Sequence, residues 1–143
     1  FDEDIEALIN EEFVRSGDFY KLGSLECLSG TEKKPRATVK IIIDGSEKKV
    51  EEFGDGPIDS VFKAISKAVD VFPMLDSYSV ASITGGMDAQ AEVSVTIKDQ
   101  GFLARGKGSS TDVIVASARA FVNALNNLRW RKNHPKITAP KGV

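Results

Sequence analysis

An internal repeat of element types constrains the fold of this 143-residue chain more than any other feature. Three strand-like runs and one amphipathic helix follow each other in the first half, and the same order returns in the second half. The first unit reads "YKLGSLECLSG", "RATVKIIID", "EKKVEEFG" and the helix "GDGPIDSVFKAISKAV". After the connector "DVFPML", the second reads "SYSVASITG", "AQAEVSVTIKD", "GFLARGKG" and another helix. The sequence therefore predicts a βββα module used twice, over about residues 19–70 and 76–129.

Apolar residues at helical spacing give each predicted helix one face to bury. Neither unit buries much alone, because burial at about 25 cal/mol per Å² must offset roughly 1 to 2 kcal/mol of backbone entropy per residue. The expected fold is α+β, with two βββα units packed face to face about a pseudo-two-fold axis, preceded by a short helix. The predicted stripes are Ile58, Val61, Phe62, Ile65 and Val69 in the first unit, and Ile114, Ala118, Phe121, Val122, Leu125 and Leu128 in the second.

Composition argues against several function classes. A formal net charge of -2 offers no excess of positive potential to a phosphate backbone. The order helix, three strands, helix over residues 3–70 is also that of a double-stranded RNA-binding domain, which requires lysines at the start of its last helix. Here that start reads "GDGPID", so nucleic acid is not an expected partner. No run approaches the roughly 20 apolar residues of a membrane span, and the missing initiator methionine suggests a fragment of a longer protein.

Catalytic and metal sites are also not expected within the chain. Cys27 is the only cysteine and His134 the only histidine, which argues against a disulfide and against zinc sites of the usual kind. We expect Cys27 to lie in the core, and the single cysteine suits a reducing compartment. No Ser-His-Asp set or phosphate-binding loop can be assembled from the sequence. The sequence therefore predicts neither catalytic residues nor metal ligands in this chain.

The two strand-to-helix junctions carry the candidate ligand site. Gly54-x-Gly56 stands at the first junction and Gly106-x-Gly108 at the second. A helix start offers unpaired N–H groups and a partial positive charge, and nearby carboxylates favour a small zwitterion over a phosphate. The alternative is that Asp55, Ser110 and Asp112 cap their helices and the glycines make turns. Ile58, Met74, Leu75 and Ala81 are predicted to be core residues, although a pocket after Gly85-Gly86 would also use apolar side chains.

Four motifs resemble the C-terminal regulatory domain of the 2-isopropylmalate synthase and citramalate synthase family. They are "GDGPIDSVFKAI", "LDSYSV", "GGMDAQAEVSV" and "GKGSSTDVIVASARAFVNALN", in the family's order and spacing over about residues 20–130. The resemblance implies a homodimeric allosteric domain that binds the end-product amino acid, leucine in isopropylmalate synthases and isoleucine in many citramalate synthases. "SGTEKKPRATVKI" is more similar to the isopropylmalate branch.

The resemblance also implies where the rest of the protein's chemistry lies. A catalytic barrel with a divalent metal and acetyl-CoA would precede residue 1, so this fragment would need no cofactor, and the protein is expected in the cytoplasm. Residues 1–18 resemble the end of a linking helical subdomain, residues 19–130 the regulatory domain, and residues 131–143 are expected to form a flexible tail. A purely structural dimerisation domain remains an alternative.

Carried over position by position, the family's effector pocket is expected at twelve residues. Ser77 stands where some members have an aromatic residue, which leaves the choice of amino acid open. The twelve are Gly54, Gly56, Ile58 and Asp59 at the first helix start, Met74 in the connector, Ser77, Tyr78, Ala81 and Ala89 in the second unit's first two strands, and Ser109, Ser110 and Asp112 at the second helix start.

Overall fold

The computed structural model describes residues 19–83 and 89–135, and it confirms the α+β fold with two βββα units. Each unit is an antiparallel three-stranded sheet followed by a helix, with strand orders β1-β2-β3 and β4-β5-β6. The short helix predicted before the first unit lies outside the described residues. The elements are β1 (Tyr20–Leu28), β2 (Arg36–Ile43), β3 (Ser46–Phe53), α1 (Pro57–Val69), β4 (Met74–Ile83), β5 (Gln90–Asp99), β6 (Phe102–Ser110) and α2 (Val113–Asn133).

The hairpins show that the two units are equivalent in register. Asp44 and Gly45 connect β2 to β3 with φ of 50° and 88°, and Gln100 and Gly101 connect β5 to β6 with φ of 54° and 86°. Positive φ at both central residues matches the right-handed twist of the flanking strands. Gly101 lies 56 positions after Gly45, and the hairpins close with the corresponding pairs Ile43–Ser46 and Asp99–Phe102.

The first strands of the two units share a second irregularity. The pairing of β1 with β2 shifts between Leu22 and Ser24, and that of β4 with β5 shifts between Leu75 and Ser77. A register shift of this kind bends a strand and increases its twist. Because both units bend their first strand at the corresponding place, the repeat extends to the fine geometry of the sheets.

The core lies between the sheets and the helices. The two helices contact each other through Phe62 and Phe121, whose rings stack with centroids 4.3 Å apart. The predicted apolar stripes are confirmed, with Ile58, Val69 and Ile114 half-buried beside the core and the other members buried. On the inner faces of the central strands the buried residues correspond in the two units: Ala37, Val39 and Ile41 in β2, and Val93, Val95 and Ile97 in β5.

The second helix packs on its sheet through small residues. A Cβ atom added at Gly106 would lie 2.2 Å from the carbonyl oxygen of Ala120, and one at Gly108 would lie 2.5 Å from that of Ala116. Side chains larger than hydrogen therefore cannot occupy these positions unless the helix moves. The prediction that Gly106-x-Gly108 forms a strand-to-helix junction is wrong, because both glycines lie inside β6 and face α2.

Three further details differ from the sequence predictions. β4 begins at Met74, so the end of the predicted connector "DVFPML" belongs to the strand. α2 continues to Asn133, beyond the predicted start of the tail at residue 131. Cys27 is half-buried rather than buried, with its thiol sulfur 3.8 Å from both the Ser60 hydroxyl and the Pro57 carbonyl oxygen.

Candidate functional site

Within residues 19–83 and 89–135, no side chain caps the start of α1. Gly56 is the N-cap residue, with an extended backbone at φ -151° and ψ 174°, and its carbonyl accepts the Ser60 N–H at 2.9 Å. Pro57 follows as the first helical residue and has no N–H to satisfy. Among the described residues, nothing accepts a hydrogen bond from the N–H of Ile58 or Asp59. This helix end therefore presents two backbone donors together with the positive end of the helix dipole.

Asp59 supplies the negative charge beside these donors. Its carboxylate accepts the Asp55 N–H at 2.8 Å and pairs with Lys63 at 3.1 Å. The Asp55 N–H holds the pKa of Asp59 below its ordinary value of 3.8, and the Lys63 ammonium acts in the same direction. The carboxylate is therefore ionised at neutral pH, and its partly exposed side chain retains room for a further donor.

The two glycines of the first junction have different roles. A Cβ atom at Gly54 would lie 2.4 Å from the Ser60 nitrogen, so Gly54 permits the close approach of the chain to α1. Its own N–H donates to the Pro35 carbonyl at 3.0 Å. A Cβ atom at Gly56 would meet no atom of the described part of the chain within 4 Å. The open space at this junction is therefore beside Gly56.

The start of α2 is satisfied by its own side chains. The Asp112 carboxylate accepts the N–H groups of Ile114 and Val115, at 2.8 and 3.4 Å. The Ser110 hydroxyl in turn accepts the Asp112 N–H at 3.1 Å. The capping interpretation is confirmed for Asp112, whereas Ser110 accepts the N–H of the N-cap residue itself and caps no helix donor. The interpretation is also wrong for Asp55, because at the first junction the acceptor is the carboxylate of Asp59, three residues into the helix region.

Tyr78 links the two helices near their starts. Its ring meets the edge of the Phe62 ring at a centroid distance of 6.2 Å, and its hydroxyl lies 2.7 Å from that of Ser117. The Ser117 hydroxyl donates to the Val113 carbonyl in the first turn of α2. Ile58 lies one turn before Phe62 on the same side of α1. Tyr78 is therefore the predicted site residue that the structure connects to both helices.

The other predicted residues lie apart from this contact. Ser77 and Ala81 are exposed and lie on the face of the sheet opposite Tyr78, as alternation along β4 requires. The side chain of Met74 is 72% exposed and Leu75 is 47% exposed, so the expectation that Met74, Leu75 and Ala81 belong to the core is wrong. Ala89 is exposed just before β5, and the Ser109 carbonyl accepts a hydrogen bond from Arg119.

A family model described as the LeuA allosteric (dimerisation) domain matches residues 1–129. The chain belongs to this family. This match agrees with the four sequence motifs and with the duplicated βββα fold.

Curated relatives of the chain are named 2-isopropylmalate synthase. The protein of Nitratidesulfovibrio vulgaris is 50% identical over 130 residues, covering 90% of this chain and 25% of the relative. That of Nitrosomonas europaea is 42% identical over 139 residues, covering 96% and 27%. That of Rhodopseudomonas palustris is 44% identical over 132 residues, covering 92% and 25%. The chain therefore spans about a quarter of the length of these relatives.

Two surface grooves of this LeuA allosteric domain fall outside the predicted site. The first, of about 520 Å³, lies between β1 and α2, and the second, of about 450 Å³, lies beside Phe53 and the β1–β2 loop. Neither is lined by any of the twelve predicted residues. Sequence reasoning gave no signal for the first groove, because it depends on how α2 crosses the neighbouring sheet.

The described residues show neither a metal-binding cluster nor a membrane-spanning helix. Within residues 19–83 and 89–135, no group of three or more His, Cys, Asp or Glu side chains could hold a metal ion. No helix in that part of the chain has both the length and the apolar character needed to cross a membrane.

Proposed function

We propose that this chain is the regulatory domain of a 2-isopropylmalate synthase, that it binds L-leucine for feedback inhibition, and that it contributes to a homodimer. The family match and the names of the relatives support the regulatory and dimerising roles. The uncapped start of α1 supports a binding site for an amino acid, and it is the observation that carries this proposal.

The start of α1 offers complementary groups for a zwitterion. The carboxylate of leucine would accept the N–H groups of Ile58 and Asp59, at the positive end of the helix dipole. Its ammonium would donate to the ionised Asp59 carboxylate, whose pKa is already lowered by the Asp55 N–H and by Lys63. Gly56 leaves the space through which the ligand reaches these donors.

The apolar part of the ligand would follow α1 toward Tyr78. The half-buried side chains of Ile58 and Tyr78 lie along this path. Tyr78 extends from β4 and contacts both helices. Met74, Ser77, Ala81 and Ala89 stay in the proposal as residues of a site completed outside this single chain. Ser109, Ser110 and Asp112 take part only if the cap of α2 rearranges, since Asp112 already caps that helix start and Ser110 accepts the Asp112 N–H.

Feedback inhibition requires that leucine bind one arrangement of the protein more tightly than another, with couplings that are typically 1 to 3 kcal/mol. In the proposed parent, an acyltransferase that uses acetyl-CoA and a divalent metal in the cytoplasm, residues 1–18 would connect the domain to the catalytic part. Replacing these residues in the parent by a flexible linker should abolish leucine sensitivity. Retention of full sensitivity would exclude this route.

Calorimetric titration of the 143-residue chain with leucine, isoleucine and valine tests the ligand. We expect preferential leucine binding, and a loss of that binding of at least tenfold in Gly56→Val. Valine fits the extended backbone at this position and its Cβ meets nothing within 4 Å, so the variant should fold. Thr111→Val, at the exposed start of α2, is the matched control and should bind leucine like the original chain.

The other outcomes separate the alternatives. Preferential isoleucine binding would assign the chain to the citramalate synthase branch. A folded dimer that binds none of the three amino acids would favour a purely structural dimerisation domain and would contradict the leucine proposal for this chain.

A further inference from the structure

The two three-stranded sheets have four outer edges, and the described side chains protect three of them to different extents: β6 at three carbonyls, β1 at Tyr20, and β3 through its charges. Along the free edge of β6, three α2 side chains spaced one turn apart form hydrogen bonds with the strand backbone. Arg119, Asn123 and Asn127 donate to the carbonyls of Ser109, Lys107 and Arg105, each at 2.6 to 2.7 Å. Backbone groups that would otherwise pair with another strand are thereby occupied.

The two edges of the first sheet are protected in different ways. At the start of β1, the buried Asn126 side chain accepts the Tyr20 N–H at 2.8 Å and donates to the Tyr20 carbonyl at 2.9 Å. β3 carries charges along its length in "SEKKVEEF", and Lys67 pairs with Glu52 at 3.2 Å. Charged side chains, lysine above all, discourage pairing at a strand edge.

The free edge of β4 has no comparable protection. Among the described residues, no side chain forms a hydrogen bond with the backbone groups on this edge, and neither helix packs against the strand over its length. The ten residues "MLDSYSVASI" contain one charge, Asp76, at the register shift. Apolar side chains are exposed on both faces of the strand, with Val80 at 50% and Ile83 at 44%. A long, nearly uncharged edge strand of this kind marks a site of strand pairing.

We propose that the free edge of β4 pairs antiparallel with the same edge of a second copy of this chain, forming a continuous six-stranded sheet. The inference deepens the proposed homodimer by naming its surface, and it rests on that proposed function. Antiparallel pairing of identical strands is compatible with a two-fold axis, which the commonest dimers have. The near absence of charge on β4 lets two copies meet without like-charge repulsion.

Sedimentation equilibrium of the 143-residue chain tests the surface. We expect a dimer, and we expect Val80→Glu to raise its dissociation constant about a hundredfold, because each copy would place a charge within the paired edge. Leu28→Glu is the matched control, since Leu28 is 54% exposed near the end of the corresponding strand β1. Its dimer should remain unchanged. Circular dichroism checks that each variant is folded, and Ser79→Arg replaces Val80→Glu if that variant is not.

The outcomes separate this surface from the proposed function. A chain that is monomeric at every concentration would overturn both the surface and the dimerising role. A dimer that the folded β4 variant leaves intact would overturn the surface alone.

Amide hydrogen exchange tests the edge pairing itself. The β4 amides that do not bond to β5 should be protected in the dimer and should exchange at least tenfold faster in the monomeric variant. The amides that bond to β5 should be protected in both. Equal exchange of the free-edge amides in dimer and monomer would overturn strand pairing, even if β4 lies in the interface.

Discussion

The two helix starts of this domain are equivalent in the repeat but differ in what satisfies their backbone donors. Asp112 lies 56 positions after Gly56, the same spacing that separates the two hairpin glycines, and both are N-cap residues. The Asp112 side chain accepts two N–H groups of α2, whereas Gly56 has no side chain to offer α1. One copy of the module satisfies its helix start with a side chain, whereas the other leaves two backbone donors without an acceptor among the described residues.

The helices also approach their sheets differently. The equivalents of Val50 and Glu52 in β3 are Gly106 and Gly108 in β6, again 56 positions later. Val50 is buried beneath α1, while the glycines allow the backbone of α2 to lie against β6. In the second unit, therefore, the helix start is capped by a side chain and the helix lies closer to its sheet than in the first unit.

The largest effect is expected where α2 touches β6. Gly106→Ala places a methyl group 2.2 Å from the Ala120 carbonyl oxygen, so the helix must shift, at a cost of about 3 kcal/mol in the free energy of unfolding. Chemical denaturation measures this cost. Gly30→Ala, whose Cβ meets nothing within 4 Å, should change stability by less than about 0.5 kcal/mol. Equal stability of the two variants would contradict the close packing of α2.

A smaller effect is expected where α2 reaches the first sheet. Asn126→Ala leaves the buried N–H and carbonyl of Tyr20 without partners and should cost about 2 kcal/mol in the free energy of unfolding. Asn123→Ala is the control, since it removes one hydrogen bond from a half-buried side chain and should cost about 0.5 kcal/mol. A loss no larger than that of the control would mean that Asn126 does not hold β1 to α2.

The cap of α2 provides a third test. Asp112→Ala removes the acceptor of two N–H groups and should lower the free energy of unfolding by about 1 kcal/mol. Thr111→Ala, at the adjacent exposed position, should change it by less than about 0.5 kcal/mol. If Asp112→Ala left stability unchanged, the difference between the two helix starts would have no energetic basis.

The smallest effect concerns the pH dependence of α1. The pKa of Asp59 is lowered in the fold, chiefly by the Asp55 N–H, so its ionised form stabilises the native state above its ordinary pKa of 3.8. That contribution is lost as pH falls through the lower pKa of the folded protein. A carboxyl chemical-shift titration should give a midpoint below 3.8 for Asp59. A midpoint at or above 3.8 would contradict the hydrogen bond from Asp55.

The sequence was sufficient to predict the repeat, because hydrophobic periodicity and the turn residues recur in the same order in both halves. It did not align the halves correctly at the helix starts. Gly54-x-Gly56 and Gly106-x-Gly108 have the same sequence pattern. The first, however, connects a strand to a helix, whereas the second lies within a strand. The hairpin glycines Gly45 and Gly101 indicate the correct alignment, since their spacing makes Gly56 equivalent to Asp112.

The surroundings of β4 could not be predicted from its sequence. An apolar strand has the same pattern whether a helix or a second molecule covers it, so Met74 and Leu75 read as core residues although they are exposed. The contact of Tyr78 with Phe62 and Ser117 was likewise invisible, because it depends on the crossing of two helices that are distant in sequence. Periodicity predicts which face is apolar, and tertiary packing decides what covers it.

The measurement that most directly tests the difference between the helix starts follows backbone amide signals during addition of leucine. In a ¹⁵N-labelled chain, the signals of Ile58 and Asp59 should shift strongly, because the ligand carboxylate would accept their N–H groups. Those of Ile114 and Val115 should shift little, because Asp112 already accepts them. Shifts confined to the second pair, or the absence of any shift at saturating leucine, would contradict the account.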